Sequence, residues 1–155
     1  VTLAAGGRRL HFSGDIGRPQ DALMRPPAPP PACDLLVCES TYGDRRHPDV
    51  DAEAELGEVV RRVAARGGVM VVPTFAVGRA QELLLHLSRL FARGAVPRLP
   101  VHLDSPMAVN ASELYRRHAG EHRLEADECR RMFEVATFVN NVEDSKALDR
   151  QRGPR

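Results

Sequence analysis

Two carboxylates each lie just after a predicted strand ends, and both could take part in acid, base or metal chemistry. Glu39, the first of them, follows the apolar run Leu35–Cys38 and precedes the polar stretch Ser40–Gly43. An unbroken apolar run of this kind is typical of a strand buried on both faces. In open parallel sheets, ligands bind at the carboxyl ends of the strands. We therefore expect Glu39 to lie at a functional edge of a sheet.

Asp15 is the second of these carboxylates. It follows the strand-like segment Arg8–Phe12 and lies between Gly14 and Gly17. Glycines let the backbone approach a ligand or a metal ion closely. The ordinary alternative is a turn in which the aspartate side chain bonds its own backbone. On these residues alone, the turn is the favoured interpretation.

The composition predicts one domain, or a piece of a larger protein, with enough apolar residues for a core. The chain has 155 residues, of which 43% are hydrophobic, and a formal net charge of +1, which argues neither for nor against nucleic acid. Three cysteines do not make a disulfide framework, so we expect a reducing, cytoplasmic setting. We expect no membrane span and no secretory signal. Because strand-like sequence begins at Val1, we expect a fragment.

The order of elements predicts an α/β fold with a mainly parallel sheet and helices on both faces. A hairpin with Gly6 and Gly7 at its turn comes first, followed by a proline-rich connector at 25–32. Asp49 or Asp51 can cap the first helix, Ser105 followed by Pro106 can begin a later helix, and Asp144 can cap a last helical turn. Strands and helices then alternate, as right-handed crossovers require. The predicted strands are Leu35–Cys38, Val69–Val72, Val101–Leu103 and Val135–Val139. The first predicted helix ends near Arg66, and the third begins at Ser105 and ends at Gly120. The second and fourth predicted helices are Gly78–Arg93 and Glu125–Phe133.

Polar residues follow three consecutive predicted strands, so they should gather along one sheet edge. Thr74 and Phe75 come after the second strand, and Ser105 comes after the third. Arg79 lies in the first turn of the next helix. An arginine opposes the helix dipole there, which indicates an anion to be held. A surface arginine is the equal alternative.

Five segments together resemble the β-CASP branch of the metallo-β-lactamase superfamily. These are ribonucleases that include RNA-degrading enzymes of bacteria and archaea and the pre-mRNA 3′-end cleavage factor. The segments occur in the family's order over nearly the whole chain, which makes the resemblance specific. They are Phe12–Gly17, Glu39–Asp44, Pro73–Glu82, Leu103–Ala108 and Ser145–Leu148.

The resemblance implies a domain division and two catalytic roles. Residues 1–43 would be the C-terminal part of a metallo-β-lactamase domain with the proline-rich connector, and residues 44–155 an incomplete β-CASP domain. Asp15 matches the carboxylate that bridges two zinc ions. Glu39 matches an acidic residue that supports, through a later histidine, protonation of the leaving oxygen. The alternative for Glu39 is a glutamate that caps a helix or bonds a turn.

The resemblance also implies RNA as the partner. Side chains that could bond phosphates are Arg79, Thr74, Ser105 and Lys146, and rings that could stack on a base are Phe75 and Tyr42. Ordinary alternatives remain, with Phe75 in the core, Thr74 and Ser105 as caps, and Lys146 as a solvated charge. Self-association into a homo-oligomer stays an open alternative, and we expect no membrane partner.

The histidine motifs of the family lie outside this sequence. We therefore expect two zinc ions in the full-length protein, none in this chain alone, and no activity from the chain by itself. The predicted function is part of a zinc-dependent RNA hydrolase. The alternative is a non-catalytic relative that serves as a scaffold or RNA-binding subunit. A small-molecule metallo-hydrolase is disfavoured by the long insertion after Glu39.

Overall fold

The structure, a computed structural model, describes residues 1–151, 153 and 154. Its strands are β1 Thr2–Ala5, β2 Arg8–Phe12, β3 Leu35–Val37, β4 His102–Asp104 and β5 Thr137–Val139. Its α-helices are α1 Ala52–Ala65, α2 Arg79–Ala92, α3 Pro106–Arg117, α4 Ala126–Glu134 and α5 Val142–Arg150, and a 3-10 helix spans Ala119–Glu121. The predicted α/β class is confirmed. No helix in the described part of the chain is long and apolar enough to cross a membrane.

Residue contacts divide the chain into a first unit, Val1–Asp49, and a second unit, Val50–Arg155. The first unit contains β1, β2 and β3 together with the proline-rich connector. The second unit contains β4, β5 and all five α-helices. The domain assignment that the resemblance implies, with a boundary after residue 43, stays a prediction.

A glycine hairpin begins the first unit. β1 and β2 pair antiparallel with Thr2 opposite His11. Gly6 and Gly7 take φ angles of 57° and 74° at the turn. Positive φ at both central residues matches the twist of the flanking strands, and glycine adopts it without steric cost. The predicted hairpin is confirmed.

β3 joins this sheet parallel to β2, with Leu10 opposite Leu35 and Phe12 opposite Val37. The exposed fractions of Leu35, Leu36 and Val37 are 60%, 45% and 45%. The expectation that this strand is buried on both faces is therefore wrong. Residues 1–49, all of which the structure describes, contain no helix that could cover the sheet. Parallel strands are buried only where such a layer lies on them.

The first helix of the second unit, α1, begins at a side-chain cap. The Asp51 carboxylate accepts hydrogen bonds from the N–H groups of Glu53 and Ala54, both at 3.0 Å. These are two of the N–H groups that a helix start leaves unpaired. The sequence left Asp49 and Asp51 as alternatives, and the structure selects Asp51. Gly67, with a φ of 63°, follows the last turn.

α2 is the central helix of the second unit. α1 packs against one part of its surface and α4 against another. Leu85 and Leu90 of α2 are fully buried, as is Met132 of α4. The helical spacing of apolar residues in the sequence predicts an inner face without Leu85, made of Leu83, Leu84, Leu87, Leu90 and Phe91. A helix that packs against two others is buried over more than one stripe, which its 3.6-residue periodicity alone does not reveal.

Charged side chains connect α2 to both neighbouring helices. Oε1 of Glu53 in α1 forms an ion pair with Arg93 at 2.7 Å, and its Oε2 lies 3.3 Å from Nδ1 of His86. Arg89 donates to Glu128 of α4 at 2.7 Å. The side chains of Glu53 and His86 are each only 14% exposed. Solvent therefore screens this contact less than it screens an ordinary surface ion pair.

The second unit contains a parallel pair of strands, β4 and β5, with Leu103 opposite Phe138. The predicted strand Val69–Val72 is wrong: its residues form no strand, and Val71 is 81% exposed. Among the described residues no strand pairs with it, and a strand needs a partner for its backbone hydrogen bonds. The described residues thus form two small sheets rather than one mainly parallel sheet.

The helices that flank β5 differ in how well the sequence predicts their starts. Ser105 accepts from the N–H of Ala108 at 3.3 Å, and Pro106 is the first residue of α3, as predicted. α5 begins earlier than expected. Asn141 caps it by accepting from the N–H of Asp144 at 2.8 Å, so Asp144 is not the cap.

Replacing Asp51 with alanine should lower the free energy of unfolding by about 1 kcal/mol, because two N–H groups of α1 lose their acceptor. Asp51→Asn should retain most of this stability, since asparagine caps about as well as aspartate. Urea denaturation followed by far-UV circular dichroism measures both changes. Asp49→Ala is the matched control, because the exposed Asp49 does not cap α1. Equal losses from Asp49→Ala and Asp51→Ala would contradict the assignment of the cap.

Candidate functional site

The parallel pairing of β2 with β3 brings two loops to the same end of the first unit's sheet. The N–H of Ser13 donates to the carbonyl of Val37 at 2.9 Å. In the opposite direction, the N–H of Glu39 donates to Oγ of Ser13 at 3.1 Å. Ser13 therefore extends the pairing one residue beyond β2. It joins the loop that carries Asp15 to the loop that carries Glu39.

The Glu39 carboxylate adds two more bonds between and within these loops. Its Oε2 accepts from the N–H of Thr41 at 2.9 Å, and its Oε1 accepts from the N–H of Ile16 at 3.4 Å. The Thr41 N–H is the main cause that lowers the pKa of Glu39, followed by the Thr41 hydroxyl and the Ile16 N–H. Glu39 thus bonds a turn, one of the alternatives that the sequence left. Ser13, Ile16, Glu39 and Thr41 form what we term the loop clamp.

Asp15 is exposed and follows Gly14, whose φ is 63°. Its carboxylate has no hydrogen bond or ion pair among the described residues, so the alternative in which it bonds its own turn is not observed. Within residues 1–151, 153 and 154, no group of three or more His, Cys, Asp or Glu side chains could hold a metal ion. The described residues do not by themselves fit a zinc site. Asp15 contributes one unpaired carboxylate, which is a single metal ligand.

Tyr42 is a second exposed feature of the first unit. The residue is 58% exposed, and its ring packs edge-to-face with His47 at a centroid distance of 5.2 Å. Arg18 lies 3.2 Å from Nδ1 of the same histidine. A ring that one neighbour orients in this way keeps exposed aromatic surface on which a base could stack.

Three of the predicted RNA contacts of the second unit lie in the loop before α2 and at the start of that helix. Phe75 is 84% exposed, so the alternative that places it in the core is wrong. Arg79, the first residue of α2, donates to Glu82 at 2.9 Å. A guanidinium has several N–H donors, so Arg79 can still bind another acceptor. Thr74 is exposed and does not cap α2, which begins after Gly78.

At the carboxyl end of β4, polar side chains meet the start of α5. Ser145 donates to Oδ2 of Asp104 at 2.8 Å, and Lys146 follows Ser145 as an exposed cation. Ser105 caps α3, so its hydroxyl has the structural role that the sequence offered as an alternative. Asp104 is not among the predicted site residues. Its position directly after a short apolar strand is a signal that could have identified it.

A cavity of about 480 Å³ lies within the second unit. Apolar side chains of α1, α2 and the 69–73 segment line most of it, together with Thr74, His102, Asp104 and Ser105. Nε2 of His102 is buried and has no hydrogen-bond partner among the described residues. Thr74 and Ser105, which the sequence predicts at one sheet edge, therefore face one space. The loop clamp belongs to the other unit.

Comparison with known proteins relates the sequence of this chain to nucleases. Residues 80–155 match the Beta-Casp domain. The chain is 38% identical to Ribonuclease TTHA0252 of Thermus thermophilus, over 99% of this chain and 37% of that protein. It is 32% identical to cleavage and polyadenylation specificity factor subunit 3 of Dictyostelium discoideum, over 98% of this chain and 20% of that protein. The chain thus spans 37% or less of the length of these two relatives.

A similar relationship extends to archaea. The chain is 35% identical to transcription termination factor FttA of Methanosarcina mazei. This alignment covers 75% of the chain and 19% of that protein. The similarity therefore reaches proteins named for RNA cleavage, for polyadenylation and for termination of transcription.

The loop clamp should depend on pH, because bonds to the ionised form lower the pKa of Glu39 below its ordinary value of 4.5. The stability that Glu39 contributes is present above 4.5 and is lost as the pH falls through the lower native pKa. The amide proton shifts of Ile16 and Thr41, followed by NMR, should titrate with a midpoint below 4.5.

Glu39→Gln should abolish this titration, whereas Glu55→Gln on the exposed side of α1 should leave it unchanged. A midpoint at or above 4.5 in the original protein would show that the clamp bonds are not formed in solution.

Proposed function

The chain belongs to the β-CASP family, and on that premise we propose that it is part of a zinc-dependent ribonuclease. The proposed reaction is hydrolysis of an RNA phosphodiester bond by a water molecule that the bound metal activates. The name of one relative, Ribonuclease TTHA0252, supports this class of reaction. Because the chain spans 37% of the first relative, we propose that activity requires segments outside it.

The unpaired carboxylate of Asp15, in the loop after β2, is the observation that carries this proposal. An aspartate oxygen is a suitable zinc ligand, and this one has no competing partner among the described residues. The loop clamp bonds Ser13 and Ile16 on either side of it. Contacts of this kind orient a metal ligand and preserve its geometry. We propose that Asp15 supplies one ligand of a two-zinc site and that other parts of the protein supply the rest.

Glu39 has two tasks in this proposal. Its lowered pKa means that it is ionised at neutral pH, so it cannot itself donate a proton. An ionised carboxylate can instead accept a hydrogen bond from a histidine and orient it as the general acid for the leaving oxygen. The same carboxylate holds the loop of Asp15 through Ile16.

RNA contact is proposed first at the loop before α2. The exposed ring of Phe75 offers a surface on which a base can stack, and Arg79 offers N–H donors to a phosphate. Arg79 would share its guanidinium between the phosphate and Glu82. The remaining proposed contacts are the residues that the sequence indicates: Thr74, Ser105, Lys146 and Tyr42.

Asp15→Asn should abolish cleavage of labelled single-stranded RNA by the full-length protein and lower its zinc content. An amide oxygen carries no charge and is a much weaker ligand for zinc than a carboxylate. Metal content by atomic emission and cleavage on denaturing gels measure the two effects. Asp49→Asn is the matched control, because Asp49 is an exposed aspartate of the same unit.

Retention of zinc and cleavage by Asp15→Asn would remove Asp15 from the metal site. If the wild-type protein binds RNA but holds no zinc and does not cleave RNA, the proposed function is instead that of a non-catalytic scaffold or RNA-binding subunit.

Phe75→Ala should weaken the binding of single-stranded RNA by about 10-fold, because stacking of one base on a ring contributes about 1–3 kcal/mol. Fluorescence anisotropy of a labelled oligonucleotide measures the change. Val77→Ala is the control, since Val77 lies in the same loop, is 62% exposed and has no ring. Unchanged affinity in Phe75→Ala would exclude this ring from the interface.

A further inference from the structure

Gln81 has a fully buried polar side chain, and it is not among the residues proposed to bind RNA or metal. It lies in the first turn of α2 with an exposed fraction of 0%. Its Oε1 accepts from the N–H of Gly78 at 2.7 Å, and its Nε2 donates to the carbonyl of Ala76 at 3.1 Å. The same Nε2 donates to Oγ of Ser112 at 3.0 Å and lies 3.5 Å from the carbonyl oxygen of Ala108.

These bonds join the loop before α2 to α3. Packing of Phe75 cannot fix the loop, because this residue is 84% exposed. Gly78 takes a φ of 81°, which side-chain-bearing residues rarely adopt, so the loop turns sharply at this point. The amide of Gln81 binds the backbone on both sides of Val77, at Ala76 and at Gly78.

A capping role would need only the bond to Gly78. In a capping box, the side chain at this position satisfies one backbone N–H at the start of the helix. Gln81 also reaches Ser112, which is itself fully buried. A primary amide provides an acceptor and two donors at one place, which is what this arrangement uses. The buried bond to α3 therefore calls for an explanation beyond capping.

We infer that Gln81 is a positioning residue for RNA binding, which holds the loop so that Phe75 and Arg79 meet the RNA in one arrangement. This inference rests on the proposed function. A loop that is ordered before binding loses less conformational entropy when the ligand arrives, so it binds more tightly. Gln81 is buried and does not itself touch RNA.

A double-mutant cycle in the full-length protein tests the inference. The probe is a fluorescein-labelled single-stranded oligouridylate, and anisotropy reports its affinity. Gln81→Met removes the hydrogen-bonding groups and nearly preserves the side-chain volume. Phe75→Ala should weaken binding by about 10-fold in the original protein. In the Gln81→Met background it should weaken binding by less than about 3-fold, because the loop no longer presents the ring in a fixed position.

Leu85→Ala is the matched control for loss of stability. Leu85 lies one turn further along α2, is 0% exposed and cannot hydrogen-bond the loop. Its truncation leaves a cavity that destabilises the helix packing. The effect of Phe75→Ala should remain about 10-fold in this background. Ser112→Ala is a second variant, which removes only the α3 end of the network and should reduce the Phe75 effect to an intermediate value.

The outcomes separate the inference from the proposed function. An undiminished Phe75 effect in both Gln81→Met and Ser112→Ala would overturn the inference and leave RNA binding in place. An equal loss of the Phe75 effect in Leu85→Ala would attribute it to destabilisation and would also overturn the inference. If Gln81→Met does not fold, Ser112→Ala decides between these results. An original protein that does not bind the probe would overturn the proposed function, and the inference with it.

Discussion

Both candidate regions depend on one constraint, which is that backbone N–H groups outside helices and sheets need hydrogen-bond acceptors. The loops that carry Asp15 and Phe75 have no regular structure, yet their backbone groups need acceptors. In the first unit, the Glu39 carboxylate accepts from Ile16 and Thr41. In the second unit, the amide of Gln81 does the same for the loop before α2. One side chain thus shapes each loop.

The chemistry of each side chain suits its surroundings. Glu39 is exposed, where water and N–H groups stabilise a charge, and its bonds lower its pKa. Gln81 has no exposure to solvent, where an unpaired carboxylate would be costly, and a neutral amide can use both its acceptor and its donors. Glu39 therefore keeps its charge, whereas Gln81 bonds the backbone of its loop and the Ser112 hydroxyl as a neutral group.

Helices and strands differ in how well this chain buries them. The backbone hydrogen bonds of α2 form within the helix itself, and Leu85 and Leu90 are completely buried between the neighbouring helices. The apolar residues of β3 and Val71 remain largely exposed. A strand is buried only when partner strands and covering layers are present, and the described residues supply few of them.

The sequence by itself determined the features that depend on a few neighbouring residues. Paired glycines at a turn predicted the first hairpin, and Ser105 with Pro106 predicted the start of α3. Five short segments in order predicted the family, which the similarity to known nucleases confirmed. Residue types at strand ends also indicated Asp15 and Glu39 as candidates for chemistry.

Only the tertiary structure decided which distant segments meet. β3 pairs with β2, so the loops of Asp15 and Glu39 lie side by side, whereas the alternation of elements predicted that this strand shares one sheet with the later strands. Gln81 binds Ser112 across 31 residues of sequence, and no local pattern indicates that contact. Periodicity and caps act over a few residues, but strand partners and buried hydrogen bonds depend on groups that folding brings together from far apart.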